Sequence, residues 1–188
     1  MTQVLTRSEQ PQPYKFTVEV YEAMSEAGLL AGRTELIHGV IVEMPPMGDE
    51  HVDAVVTLTA KLFTAYFPRA AIACQVPVRL PPFGEPEPDF MLVTPHSKGV
   101  RQVSDVLLII EISNSTYKLD TEEKLPMYAE HGIQDIWILN VKLGQLEVYR
   151  NPKNTVPGGW GYDPAIICKP GTAIAPLEFP QDPLEWWT

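Results

Sequence analysis

The sequence predicts an α+β fold, in which a single domain contains a mixed β-sheet flanked by helices. Residues 105–113, DVLLIIEIS, form the most apolar run of the chain and are β-branched at their end, as is typical of a central strand covered on both faces. Residues 51–67 instead place apolar side chains at helical spacing, which predicts a helix packed on that sheet. A length of 188 residues suits one domain with a sizeable core.

The first quarter of the chain is predicted to contain an arm, a helix and a hairpin. Residues 1–13 are polar and contain prolines, so we expect a mobile arm there and the single domain over residues 14–188. Thr17 can cap a helix that Gly28 would end. Residues 34–44 then alternate about a central His-Gly pair, which predicts two strands joined by a two-residue turn.

The middle of the chain changes from a helix to strands. The helix over residues 51–67 is expected to pack on the sheet through apolar side chains at helical spacing: Val52, Val55, Val56, Leu62, Phe63 and Tyr66. Residues 71–80 are predicted to form one strand, and a loop rich in proline and glycine separates it from the next strand at residues 89–93.

The last third combines a short helix with further strands. Residues 119–132 are predicted to form the helix, and residues 135–140 and 145–150 to form two strands with a Leu-Gly hairpin signal between them. Residues 158–179 are expected to add short strands and turns. Strands and helices in this order favour the α+β class with a mixed sheet.

The charge balance limits the function classes. The chain carries 14 basic and 24 acidic residues, a net charge of −10, which argues against broad electrostatic binding to nucleic acid. Any nucleic-acid contact is therefore expected to be local. No apolar stretch approaches the length of a membrane span and no apolar run follows the first charges, so we expect a cytoplasmic protein without membrane contact.

The two cysteines and two of the aromatic residues are predicted to be buried in the core and not to form a metal, redox or base-stacking site. Cys74 and Cys168 lie far apart in the sequence, so zinc-ribbon and redox spacings are absent and we expect two buried thiols. Trp137 and Tyr149 stand in apolar alternation and not among basic residues, which favours core packing over a base-stacking platform.

Two acidic residues mark a candidate metal site. Asp89 opens one predicted strand, and Glu111 lies near the end of the apolar neighbouring strand, where an ionised carboxylate is costly unless something pairs with it. If strand pairing brings the two acids side by side, they repel each other unless a cation lies between them. Carboxylates with retained water suit magnesium or manganese. The alternative is that Asp89 caps a turn and Glu111 meets an arginine.

Several stretches resemble a known family. The segments TELIHGVIVEM, PEPDFMLV and LLIIEISNSTYKLDTEEKLPMYAEHGIQDIWILN are similar to the Uma-two family, a branch of the PD-(D/E)XK nuclease superfamily. Its motifs recur in order: an E-L-I-x-G hairpin, a helix-opening His, P-D, E-x-S, D-x-x-x-K-x-x-x-Y and a Trp strand. The resemblance implies a restriction-endonuclease-like fold and a metal-dependent phosphodiesterase, with Asp89 and Glu111 as metal ligands.

One departure from the superfamily concerns the lysine of E-x-K. Ser113 stands where that lysine would be, so a cation must come from elsewhere. Lys124 fits the family motif, and Asp120, Lys124 and Tyr128 would lie along one helix face that could aim an ammonium at the site. The same spacing also describes an ordinary exposed ion pair. Pro126 disfavours a regular helix there, and Lys118 is the second candidate for the catalytic lysine.

The resemblance adds three auxiliary expectations. Glu35, in the E-L-I-x-G strand, could reach the metal or its water, although an edge-strand glutamate can simply be solvated. His51 would point to the site from its helix start, although it can also be a surface residue. The carbonyl of Ile112 would join Asp89 and Glu111 as a ligand of one or two divalent ions.

Together these residues predict an endonuclease that hydrolyses phosphodiester bonds in DNA with Mg²⁺ or Mn²⁺. Two other interpretations stay open: a non-catalytic interaction or regulatory module on a nuclease fold, which the net charge of −10 favours, and a hydrolase of small phosphorylated ligands. Nucleases that cut both strands often work as dimers, and the apolar end PLEWWT, residues 183–188, is a candidate homodimer interface.

Overall fold

The computed structural model describes residues 11–96, 98–155 and 159–186. Most of the predicted arm therefore lies outside the described residues, and residues 11–13 are exposed without regular secondary structure. The first residue of the segment predicted over 158–179 also lies outside them. Within the described ranges, no helix is both long and apolar enough to cross a membrane.

Three α-helices lie within the described ranges. They are α1, Val18–Glu26; α2, Asp49–Tyr66; and α3, Leu125–Glu130. A 3₁₀ turn covers Val103–Asp105, and a π-helical segment, Leu119–Lys124, leads directly into α3. The caps of α1 are as predicted: the Thr17 hydroxyl accepts from the Val20 amide, and Gly28 adopts a φ of 68° just after the helix.

Fourteen strands are described, many of them only two residues long. The longer strands are β1, Thr34–Ile37; β2, Val40–Glu43; β3, Ala71–Cys74; β5, Phe90–Val93; β7, Val106–Ser113; β8, Asp135–Asn140; β9, Gln145–Arg150; and β12, Ile166–Cys168. The two-residue strands are β4, Val78–Arg79; β6, Arg101–Gln102; β10, Lys153–Asn154; β11, Trp160–Gly161; β13, Ala173–Ile174; and β14, Leu184–Glu185.

The main sheet has six strands in the order β12-β9-β8-β7-β5-β3. Strands β7 and β8 are parallel and every other neighbouring pair is antiparallel, so the sheet is mixed. The predicted central strand is β7, which lies between β5 and β8. These observations confirm the α+β prediction. The predicted hairpin forms separately from this sheet, as β1 paired with β2.

Alternation along the central strands divides the core between the two faces of the sheet. On one face, Ile110 and Ile112 of β7 pack with Leu62 and Tyr66 of α2. On the other face, Ile109 packs in a second cluster with Met127 and Tyr128 of α3 and with Ile37 of the hairpin. Because side chains alternate, Glu111 points to this second face, towards the hairpin and the π-helical segment.

The predicted packing face of α2 was partly wrong. The buried side chains of this helix are Leu58, Leu62 and Tyr66, whereas Val52, Val56 and Phe63 are exposed. The helix carries apolar residues on two sides, and helical spacing alone does not decide which side meets the sheet. Burial instead follows the line from Leu58 to Tyr66, because residues four apart lie on one face.

Two further predictions need correction. Residues 71–80 form two strands in different sheets, β3 and β4, because Gln75 adopts a φ of 50° and Pro77 cannot donate to a ladder. Cys74 is exposed at the end of β3, while Cys168 is buried as expected.

Part of the predicted dimer interface at residues 183–188 is buried within the chain itself. Leu184 and Trp186 are buried in the cluster beneath α2, and the last two residues lie outside the described ranges. Trp137 is buried in the same cluster, as predicted.

Candidate active site

Strand pairing brings Asp89 and Glu111 together. In the antiparallel pair of β5 and β7, Phe90 lies opposite Ile110. Asp89, just before Phe90, therefore stands beside Glu111, just after Ile110, and both point to the same face. Their exposed fractions are 5% and 3%. The pairing that the sequence predicted thus exists in the fold, and both carboxylates are removed from bulk water.

Asp89 is held by a strand and a helix. Its Oδ2 accepts a hydrogen bond of 2.8 Å from the backbone amide of Ile112, and its Oδ1 lies 3.0 Å from His51 Nε2. His51 lies in the first turn of α2, so this helix start is directed at the carboxylate, as expected. At Ile112, the recorded contact with Asp89 is made by the amide, so ligation by its carbonyl stays a prediction.

Glu111 meets a lysine and a tyrosine. Its Oε1 accepts a 2.7 Å hydrogen bond from the Tyr128 hydroxyl and lies 3.4 Å from Lys124 Nζ. The arginine partner of the alternative interpretation is not among these contacts. Tyr128 is fully buried, and it fixes one oxygen of Glu111 while the other oxygen takes part in neither contact.

Lys124 joins three carboxylates. Its Nζ lies 2.8 Å from Glu35 Oε2, 3.4 Å from Glu111 Oε1 and 3.6 Å from Asp120 Oδ1, and the side chain is only 2% exposed. The Glu35 carboxylate accepts no well-oriented hydrogen bond despite the short distance to the ammonium. Glu35 is therefore a buried part of this cluster and not a solvated edge residue.

The π-helical segment explains how the lysine reaches the site despite Pro126. Proline cannot donate to the carbonyl of Glu122, so a regular α-helical turn would leave that carbonyl without its intrahelical partner. The chain instead forms a wider turn in which the Leu125 amide bonds to the Asp120 carbonyl. Asp120 and Lys124 still face the same side, and Tyr128 follows one turn later in α3.

Ser113 and Asp120 support the lysine from behind. Ser113 Oγ donates to Asp120 Oδ2 over 2.5 Å, and Thr116 Oγ1 donates to the same oxygen over 2.8 Å. The residue at the usual lysine position therefore contacts Asp120, which in turn lies beside the ammonium of Lys124. The structure thus places the predicted site residues in two hydrogen-bonded groups, one around Asp89 and one around Lys124, which adjoin where β5 pairs with β7.

Burial and charge oppose each other in this group. Burial raises the pKa of Glu111 and of Glu35. The positive charge of Lys124 acts in the opposite direction but only partly offsets burial, so both pKa values are raised. Burial alone would lower the pKa of Lys124, but Glu111, Glu35 and Asp120 outweigh it, so the lysine pKa is raised. Burial, followed by the charges of Glu111 and Glu35, also raises the pKa of Tyr128 well above its usual value. Lys124 therefore stays charged, whereas burial favours the protonated form of Glu111 and of Glu35 in the metal-free site.

The cluster forms the floor of a cavity of about 230 Å³. Asp89, Glu111, Glu35, Asp120, Lys124 and His51 line it, as do the loops at residues 44–48 and 114–116. Arg33 and Glu87 also line it, and the sequence interpretation assigned a role to neither. The sequence carried little signal for Arg33, because it stands just before the strand that contains Glu35 and strand alternation does not extend to it.

The donor set fits a magnesium-type ion that keeps water ligands. No group of three or more His, Cys, Asp or Glu side chains in the described part of the chain is arranged to hold a metal ion. Magnesium, however, is bound through one or two carboxylates, waters and substrate phosphates more often than by a closed protein cage. Asp89 and Glu111 both face the cavity, which Glu35 also lines.

The comparisons with known proteins concern the family and the fold. No curated protein matches the sequence. A solved structure of a putative nuclease belonging to DUF820 from Anabaena variabilis is similar, with a TM-score of 0.64 and 14% identity over 88% of this chain and 91% of that chain. This likeness concerns the fold. The family model Uma2, described as "Putative restriction endonuclease", matches residues 9–181. The chain therefore belongs to the Uma2 family.

Proposed function

We propose that this protein is a metal-dependent endonuclease that hydrolyses phosphodiester bonds in DNA, with Asp89, Glu111 and Lys124 as its catalytic residues. The observation that carries the proposal is the convergence of two strand carboxylates and a buried lysine on one cavity. Family membership supports a nuclease role, and the fold is that of a similar solved nuclease-like chain.

In this proposal the two strand carboxylates hold Mg²⁺ or Mn²⁺, with the Ile112 carbonyl as a third ligand. Such an ion would supply Lewis acidity for phosphodiester hydrolysis. Asp89 is fixed by the Ile112 amide and His51, and Glu111 by Tyr128, so neither carboxylate has to be ordered when substrate arrives.

Lys124 steadies the negative charge that builds on the phosphoryl oxygens. Asp120 positions the ammonium, and Ser113 holds Asp120. Glu35 completes the group as the carboxylate nearest to Nζ. His51 orients Asp89. The roles of Asp120, Ser113, Glu35 and His51 are positioning roles. Unlike Lys124, each of these residues acts through a neighbouring side chain and not on the phosphate itself.

The alternative is a non-catalytic interaction or regulatory module. The net charge of −10 favours it, whereas it gives no reason for a lysine to be buried among three carboxylates. A buried ion cluster is weak evidence for stability, since apolar residues of similar volume are often equally stabilising. Hydrolysis of a small phosphorylated ligand is the third candidate, because such a ligand needs no extended basic surface outside the cavity. A homodimer remains a proposal for cleavage of both strands.

A cleavage panel separates these functions. Supercoiled plasmid, single-stranded and double-stranded oligonucleotides, and p-nitrophenyl phosphate esters are incubated with the protein in chelator, Mg²⁺ or Mn²⁺. We expect DNA cleavage in Mg²⁺ or Mn²⁺ and none in chelator. Turnover of the small esters alone would favour the third candidate, and an inactive protein across the panel would favour the module.

Replacing Lys124 tests the lysine assignment. Lys124→Met keeps most of the length of the side chain and removes its charge, so we expect cleavage to fall by about 100-fold or more through lost transition-state stabilisation. Lys118→Met is the matched control, because Lys118 is an exposed lysine directly before the π-helical segment that carries Lys124. Single-turnover rates are measured below the melting temperature of both variants. An active Lys124→Met beside an inactive Lys118→Met would transfer the role to Lys118.

A further inference from the structure

We propose that Arg33 is a substrate-binding residue that contacts the non-bridging oxygens of the phosphodiester at the cavity mouth. The inference rests on the proposed nuclease function and adds a residue to it. Arg33 immediately precedes β1, two positions before Glu35, and its side chain lines the cavity. Arg33 Nη2 lies 3.9 Å from Glu35 Oε1, so the guanidinium adjoins the charged group that surrounds Lys124.

A phosphate entering this cavity needs an accessible cation. Five carboxylates line the described cavity, those of Glu35, Glu87, Asp89, Glu111 and Asp120. A phosphodiester is an anion, so these carboxylates oppose its approach beyond what a divalent ion neutralises. Lys124 is 2% exposed, beneath the carboxylates that it pairs with, whereas the Arg33 side chain is 31% exposed. Arg33 is thus the lining arginine or lysine that an incoming phosphate meets first.

Glu87 holds the guanidinium in a fixed orientation. Arg33 Nε donates to Glu87 Oε2 over 3.0 Å, and its Nη2 donates to the Glu87 carbonyl over 3.3 Å. Nη1 takes part in neither contact. A guanidinium presents a planar fork of donors that matches phosphate geometry, and fixing one edge of it reduces the entropy lost when phosphate binds. Glu87 therefore acts as the anchor of a preorganised phosphate contact.

Arg79 provides a matched control outside the cavity. Its side chain is 33% exposed, it is paired with Glu22, and its Nε lies 3.9 Å from a second, buried carboxylate, that of Glu85. Arg33 has the same arrangement, with Glu87 as its partner and the buried Glu35 at 3.9 Å. Arg79 does not line the described cavity. Replacing either arginine therefore removes one positive charge and a similar ion pair, but only the replacement of Arg33 changes the cavity mouth.

The experiment compares Arg33→Gln with Arg79→Gln. Binding of a fluorescein-labelled single-stranded DNA oligonucleotide is followed by anisotropy over a salt series in chelator, and KM and kcat are measured in Mn²⁺. Arg33→Gln is expected to weaken binding and raise KM by about 10-fold or more, with a smaller change in kcat. Its slope of log Kd against log salt should fall by about 0.7, the contribution of one phosphate contact on a single strand.

A lysine substitution adds a readout that a structural role would not give. Arg33→Lys retains the charge and so most of the salt slope, but it cannot hold Glu87 at two points, so its affinity should lie between wild type and Arg33→Gln. Melting temperatures of Arg33→Gln and Arg79→Gln should fall by similar amounts, because each loses one partly exposed ion pair.

The outcomes separate this inference from the proposed function. A wild type that cleaves DNA, with Arg33→Gln equal to Arg79→Gln in KM and salt slope, overturns the role of Arg33 and leaves the nuclease assignment intact. A wild type that neither binds nor cleaves this oligonucleotide, and that cuts no other DNA of the cleavage panel, overturns both.

Discussion

Asp89→Asn and Glu111→Gln are each expected to lower the rate of Mg²⁺- or Mn²⁺-dependent DNA cleavage by roughly a thousandfold or more. Each replacement keeps the side-chain shape and an oxygen that can accept the existing hydrogen bond, from the Ile112 amide at residue 89 and from Tyr128 at residue 111. What each removes is one negative charge facing the cavity, and with it a ligand for the ion. The cleavage rate is measured over a metal titration, with retained near-UV circular dichroism as the check on folding.

Glu147→Gln is the matched control for Glu111→Gln. Glu147 is also 3% exposed, on β9, and it accepts hydrogen bonds from Tyr117, Asn140, Gln145 and Tyr149. It does not line the cavity, so its amide variant is expected to keep wild-type cleavage. Equal cleavage by wild type in chelator and in metal, or full activity of the Asp89 variant, would contradict the metal-dependent mechanism.

The pairing of Asp89 with Glu111 could be predicted from sequence because both strands carry local signals. A buried strand is recognised by its apolar run, and alternation then fixes which residues share a face. Adjacent strands often pair, so two acids near the facing ends of such strands are expected to meet. The register that places Phe90 opposite Ile110 is the single fact that only the structure supplies.

The position of Lys124 was predicted for a reason that the structure modifies. The i, i+4 spacing placed Asp120 and Lys124 on one helix face, but Pro126 conflicted with a regular helix. The chain resolves that conflict with a π-helical segment, which retains the shared face. Single-turn π segments within helices are rare and frequently occur at functional sites, and sequence patterns with a period of 3.6 do not reveal them.

Other contacts could not be predicted because they depend on how separate elements meet. Glu35 lies in a hairpin outside the main sheet, and its distance from Lys124 depends on where that hairpin packs. His51 had two interpretations until the orientation of α2 was known. The exposed Phe63 shows the same limit, since an apolar residue at helical spacing is buried only if its side of the helix meets the sheet.

Lys124→Met should also destabilise the metal-free protein strongly. The ammonium lies 2.8 Å from Glu35 Oε2 and 3.4 Å from Glu111 Oε1, and both carboxylates are almost fully buried. Removing one partner of a buried charged group leaves uncompensated charge, at a cost of about 3–5 kcal/mol. In a domain of this size, about 2–4 °C of melting temperature is lost for each kcal/mol, so we expect a decrease of roughly 6–20 °C in chelator.

Divalent ions should reverse part of this loss. An ion that binds only the folded state stabilises it by about 2.7 kcal/mol at roughly 100 times its dissociation constant. Because the ion also compensates the carboxylate charge left by the missing ammonium, the deficit of Lys124→Met should be smaller in millimolar Mn²⁺ than in chelator. Lys118→Met removes an exposed charge, so its free energy of unfolding should lie within about 0.5 kcal/mol of the wild-type value in both conditions. The opposite result would be equal melting temperatures of Lys124→Met and wild type in chelator, with no change in either when metal is added. In that case the buried carboxylates neither depend on the lysine nor bind an ion.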